Sequence, residues 1–267
     1  MAESNWRHAP SVPAAAPPQR RRSLVCLTAV TLGVAAAGGF ASAQEEPPPT
    51  AAVKGEVQGG EFLLNPVWNE ARDPNNHRYT FRTPSVTVSQ KAKTLTAFLP
   101  KEVPVVALGE GAKASEIAIE VQVSGGRTTP VTIVVPPGQS LQFVNRDPFP
   151  HALYTSDTDK GGLPAQPMTK GASRTWTPPG PGAYELRDEL FPSVRSWVVV
   201  DARAVASGYP DLSGSFQIDG LPEGAYALQA YFNGAPSGSP VTIDVRPFPA
   251  LQTLGAPIVV ATKEGGD

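Results

Sequence analysis

Thr129-Pro130-Val131-Thr132-Ile133-Val134-Val135-Pro136-Pro137-Gly138, then Leu141-Gln142-Phe143-Val144-Asn145-Arg146-Asp147, sets two short apolar runs either side of a Pro-Pro-Gly break. Both runs alternate apolar with polar side chains, which is the period of two that a half-buried β-strand requires. Ile117-Ala118-Ile119-Glu120-Val121 and Phe216-Gln217-Ile218 repeat the pattern on either side of it. Thirty prolines and 25 glycines punctuate such runs along the chain, and no convincing amphipathic helix stands between them. Strands this short, with turns every ten residues or so, predict an all-β protein built of antiparallel sandwiches rather than an α/β enzyme.

The N-terminus predicts export. Arg20, Arg21 and Arg22 precede a weakly apolar run from Ser23 to Phe40, and Ala41-Ser42-Ala43 is the small-x-small pattern that signal peptidases cleave, placing a signal peptide over 1–43 and the mature N-terminus at Gln44. Arg21-Arg22-Ser23-Leu24-Val25 also reads as a twin-arginine signal, with a periplasmic or cell-surface destination. The alternative of a membrane anchor is disfavoured because Gly33, Gly38, Gly39, Thr28 and Thr31 dilute the run. Cys26, the single cysteine, leaves with the leader, which excludes disulfides, thiol chemistry and sulfur-ligated metal sites in the mature chain. Losing Arg7, Arg20, Arg21, Arg22 and Glu3 takes 22 basic against 24 acidic residues to 18 against 23, a net charge of about −5. Nucleic acid is therefore not an expected partner, and no basic cluster remains to neutralise phosphates.

The quoted stretch, followed by His151, resembles the first half of cupredoxins, the plastocyanin-like copper proteins. The resemblance implies that His151 matches that family's first copper ligand. Trp176-Thr177-Pro178-Pro179-Gly180-Pro181-Gly182-Ala183-Tyr184-Glu185 resembles the strand and Gly-x-Tyr turn before the family's Cys-x-x-His-x-x-Met loop, which here reads Asp188-Glu189-Leu190-Phe191-Pro192-Ser193-Val194. Aligned on Tyr184 and Pro192, the cysteine position is Asp188, the second histidine Phe191 and the methionine Val194. Three of four ligands are absent, and a carboxylate does not replace the thiolate of a blue-copper centre. No cofactor is expected. A rebuilt zinc site from His151 with Asp188 or Glu189 is the alternative weighed, beside a purely structural, hydrogen-bonded His151.

A second resemblance follows. Gly214-Ser215-Phe216-Gln217-Ile218-Asp219-Gly220-Leu221-Pro222-Glu223-Gly224-Ala225-Tyr226-Ala227-Leu228 resembles the carboxypeptidase regulatory-like, or transthyretin-like, β module. It reads as a strand, a turn at Gly220 to Gly224 and a partner strand, with Phe216, Ile218, Tyr226 and Leu228 on one face. The expected organisation is signal peptide 1–43, disordered linker 44–51, β-rich region 52–116, cupredoxin-like domain 117–201, regulatory-like module 202–250 and tail 251–267. Asn65-Pro66-Val67-Trp68-Asn69 and Asn75-Asn76-His77-Arg78-Tyr79 mix aromatic and polar groups as carbohydrate-binding surfaces do, although an ordinary loop with a packed Trp reads the same.

Enzyme chemistry finds no support: there is no Gly-x-Ser-x-Gly elbow, no His-Glu-x-x-His and no phosphate loop. Glu185, Asp188 and Glu189 suggest ion pairing with Arg187 or Arg195 before paired catalytic carboxylates. The expectation is thus an exported, non-enzymatic binding or scaffolding protein, not membrane-spanning once cleaved, whose partner is an envelope protein or polysaccharide. The resemblance brings the loops around His151 and Asp188–Val194 together, so Pro148, Phe149, Pro150, His151, Leu190, Phe191 and Pro192 are the candidate partner-binding residues. Inward packing of Phe191 is the competing expectation. Metal binding or electron transfer through His151, and carbohydrate binding, are the rival functions.

Overall fold

The computed structural model describes residues 50–64, 96–156 and 161–263. The leader, its cleavage site and the aromatic-polar segment with His77 lie outside the described residues. The chain runs through β1 (Thr50–Gln58), a single-turn helix α1 (Leu99–Glu102) and β2 (Val105–Leu108). It continues through β3 (Ile119–Ser124), β4 (Arg127–Thr129), β5 (Thr132–Val135), β6 (Leu141–Asn145), β7 (Leu153–Thr155), β8 (Ser173–Trp176), β9 (Gly182–Asp188) and β10 (Arg195–Val200). The remainder is β11 (Ala204–Gly208), β12 (Ser215–Pro222), β13 (Gly224–Phe232), β14 (Ala235–Val245), β15 (Leu251–Thr253) and β16 (Ile258–Val259). The all-β expectation holds. Among the described residues no helix is long and apolar enough to cross a membrane.

Strands β3 to β10 make one sandwich, with sheets in the order β4-β3-β6-β8 and β5-β10-β9-β7. The pairs β3/β6 and β5/β10 are parallel and the others antiparallel. Its core joins Val121, Leu141 and Phe143 of one sheet to Leu153, Leu186 and Val198 of the other. Gly125 (φ 63) and Gly126 (φ 67) form the two-residue turn between β3 and β4, with Ser124 paired to Arg127. Positive φ at both positions is the demand of a type I′ hairpin, which glycine meets without strain.

The second sandwich is assembled from both ends of the chain. One sheet is β12-β1-β15, with β16 also on β1; the other is β11-β2-β13-β14. Region 52–116, module 202–250 and tail 251–267, read as consecutive in the sequence, thus contribute strands to the same two sheets. Of the linker expected over 44–51, Thr50 and Ala51 instead belong to β1, and buried Ala51 pairs with Leu221; 44–49 lie outside the described residues. The strand-turn-strand reading of 214–228 also needs correction. Strand β12 pairs with β1 and β13 with β2 and β14, so the Gly220–Gly224 bend crosses between sheets. Phe216, Ile218, Tyr226 and Leu228 share one core, as their alternation predicts, but from facing sheets.

The first sandwich is an insertion into the second. Strand β11 lies antiparallel to β2, with Ala204 opposite Leu108, so the chain leaves and re-enters at adjacent strands. That geometry lets one β unit sit inside another without disturbing its pairing. The two are packed through Val134 and Val199 on one side and Val106, Leu108, Ala204 and Tyr231 around them. This contact explains why β5 and β10 are buried on both faces, where an exposed sheet would alternate. Tyr209 donates its hydroxyl to the Thr132 carbonyl at 2.7 Å. Asn233 (φ 51) and Gly234 (φ 79) turn β13 into β14 directly against Trp197, the nearest atom of which lies 2.6 Å from where a Cβ on Gly234 would stand.

Candidate functional site

His151 precedes β7 at one end of the first sandwich and is fully buried. Its backbone is fixed first: His151 N donates to Met168 O at 3.0 Å, and Met168 N donates back to His151 O at 2.7 Å. Asn145, at the end of β6, shapes the loop by donating Nδ2 to Phe149 O and Met168 O, both at 2.8 Å, and accepting from Asp147 N at 2.8 Å. Such a side chain, bonded to backbone two residues on, is the usual local reason an Asn ends a strand and starts a turn.

The imidazole lies between two carboxylates. Nδ1 is 2.7 Å from Asp188 Oδ2 and Nε2 is 3.0 Å from Asp147 Oδ2. Asp188 closes β9, and its Oδ1 accepts three backbone amides: Ala152 at 3.3 Å, Leu190 at 2.8 Å and Phe191 at 3.1 Å. Asp147 accepts Gly125 N at 2.8 Å and Gly126 N at 3.2 Å from the β3–β4 turn. Removal from water pushes the Asp147 carboxyl up, but the Gly125 amide, the His151 ring and the Gly126 amide outweigh this and hold it below the usual carboxylate range. Phe149 and Phe191 roof the ring, their centroids 5.3 and 4.9 Å from that of His151 and 4.6 Å from each other.

A first-row metal needs a deprotonated ring nitrogen and further donors converging on one point. Here the two carboxylates face different nitrogens of the same ring, so the three side chains do not converge on one point. Type 1 copper does not fit these residues. Asp188 stands where the resemblance implies a cysteine, half-buried Phe191 where it implies an imidazole, and buried Val194 packs in the core. Among the described residues no three His, Cys, Asp or Glu side chains are arranged to hold a metal ion.

Of the candidate partner-binding residues, Pro148, Pro150, Leu190 and Pro192 are exposed, and Phe149 and Phe191 are half-buried against His151. Inward packing of Phe191 and an apolar rim are therefore both present at this end. Glu185 pairs with Arg187 at 2.9 Å and with Arg195, in line with the ion-pair reading, while Asp188 turns inward onto His151. Sequence reasoning missed Asp147 and the Gly125-Gly126 amides. The signal was legible: Gly-Gly between Val121-Gln122-Val123 and Thr128 is a type I′ turn, and such turns aim backbone amides at an anion.

No protein-family model matches the chain, and no curated protein does. Among solved structures it is similar to a reduced amicyanin variant, 21% identical, over 36% of this chain and 98% of that one, with a TM-score of 0.31. It is also similar to a copper-containing nitrite reductase from Thermus scotoductus SA-01, 24% identical, over 36% of this chain and only 25% of that one, with a TM-score of 0.31. A purple cupredoxin from Nitrosopumilus maritimus, 17% identical, overlaps 31% of this chain and 99% of its own at a TM-score of 0.27.

Proposed function

We propose that this is an exported, non-enzymatic binding or scaffolding protein whose inserted sandwich is a cupredoxin-like unit without a type 1 copper site. The outer sandwich carries the carboxypeptidase regulatory-like segment. The observation that carries the reading is the engagement of both His151 ring nitrogens by Asp188 and Asp147, which turns both nitrogens of the ligand the resemblance retains onto carboxylates rather than toward an open coordination site. Loss of the metal leaves loops that are tied down and present Pro148, Pro150, Leu190 and Pro192 to solvent, an arrangement suited to contact rather than electron transfer. The partner is an envelope protein or polysaccharide.

The test is recovery of a partner by the tagged full chain from its native envelope, against Phe149→Ala combined with Phe191→Ala. Partner loss in the variant, at unchanged fold by circular dichroism, supports contact through this end. Equal recovery by both proteins rejects the loop end as the contact surface. Activity or redox turnover that follows bound copper would overturn the reading altogether.

A further inference from the structure

Resting on the reading that the inserted sandwich works without copper, we infer that His151 is held as an imidazolium, with a proton on each ring nitrogen. This buried cation ties the β3–β4 turn, the β6–β7 loop and the β9–β10 loop together in the place where the resemblance puts a metal. A neutral imidazole has one N–H and one lone pair, so it can donate on one side only. At 2.7 and 3.0 Å both sides face carboxylate oxygens. Each carboxylate also accepts backbone amides, three on Asp188 Oδ1 and two on Asp147, so both act as hydrogen-bond acceptors toward everything else around them. The hydrogens in both contacts therefore belong to the ring. A neutral ring would point its lone pair at a buried carboxylate, with no water to relieve it, since the side chain is fully buried.

The surroundings agree. One positive ring between two negative carboxylates leaves a single excess negative charge, set against five amide dipoles. The Phe149 and Phe191 rings pack against the imidazole, tilted by 53° and 49°, and keep the site apolar around it. The ties span both sheets of the inserted sandwich: Gly125 and Gly126 belong to the β3–β4 hairpin of one, and Asp188 ends β9 of the other. An imidazolium has no lone pair, so the same protons that fasten the loops close the ring to copper and zinc.

The test is a long-range proton–nitrogen correlation spectrum of the histidine rings in the nitrogen-15-labelled full chain at neutral pH, with His151→Gln to assign the signals. The expected result is protonated-type shifts for both His151 nitrogens, slow exchange of both ring protons with solvent, and no change on adding excess zinc(II). A single protonated nitrogen, or a zinc-dependent shift of the His151 signals, overturns the inference. Asp188→Asn should lose the slow exchange of the Nδ1 proton; retention of slow exchange there would contradict the assigned contact. Should that variant not fold, the wild-type spectrum decides alone. The two readings fail separately: a protein that takes no copper yet shows a neutral His151 refutes the imidazolium, and copper bound elsewhere refutes the copper-free function while leaving the imidazolium intact.

Discussion

Replacing Asp188 with Ala removes the group on which most of the loop end converges. His151 keeps only Asp147, and three amides lose their acceptor. Breaking a buried ion pair from one side costs about 3–5 kcal/mol, because it strands the remaining charge. Leu190 is exposed, so its amide can turn to water, whereas the Ala152 amide stays dry and unpaired. We expect a net loss of about 4 kcal/mol. Asp188→Asn keeps an oxygen for the amides and gives up only the charge-assisted bond, about 2 kcal/mol. For a chain of this size each kcal/mol moves the melting temperature by roughly 2–4 °C, so the two variants should fall by roughly 8–16 and 4–8 °C. Urea unfolding followed by tryptophan fluorescence reads the difference, since Trp176 and Trp197 both lie in the inserted sandwich. Glu120→Gln is the control: its pairing with Arg146 is half exposed on both sides and should leave the midpoint unmoved. An Asp188→Ala midpoint indistinguishable from that control refutes the claim that the buried network fastens the loops.

Acid should act through the same cluster. Because the Asp147 carboxyl is held below the usual range, its contribution to stability is whole above the unfolded-state value of about 4 and is lost as pH falls from there through its lowered folded value. Urea midpoints measured from pH 7 down to pH 3 should be flatter for Asp147→Asn than for the unchanged chain. Phe191→Ala should cost about 2 kcal/mol, less than a fully buried phenyl, because the ring is half-buried; a cost near zero in the same assay would mark it as pure surface. Gly234→Ala should lower the melting temperature and shift tryptophan emission, since a Cβ there meets Trp197 at a positive φ that alanine resists. Lysine at both Arg21 and Arg22 should leave precursor in the cytoplasm on cell fractionation, and normal export would point to the general secretion route.

The alternation in Val131–Val135 and Leu141–Val144 was enough to place β5 and β6, because a period of two is a local property of the pleat. What alternation cannot supply is the partner strand. Phe216, Ile218, Tyr226 and Leu228 face inward whether β12 and β13 pair with each other or lie on opposite sheets, and only the far-off strands β1 and β2 decide between them. The same non-local pairing hid the insertion, since β2 and β11 are neighbours with the whole inserted sandwich between them in sequence. At the site, the sequence joins Asp188 and His151 only as ligands of a rebuilt zinc site, not as a hydrogen-bonded pair. Their contact joins residues 37 positions apart in the sequence. Asp147, four residues from His151, stands in the sequence only as the last residue of the run from Leu141, and its role needs the Gly125-Gly126 turn in place.

Metal content after equilibrium dialysis tests the central claim most directly. Full-length protein, and the same protein with His151→Gln, are dialysed against copper(II) and then zinc(II), desalted and analysed for bound ion and visible absorption. The account predicts a colourless protein with metal far below one equivalent and no difference between the two chains, because neither nitrogen of His151 offers a lone pair. One equivalent of either ion, held by the unchanged chain and lost on His151→Gln, would contradict it.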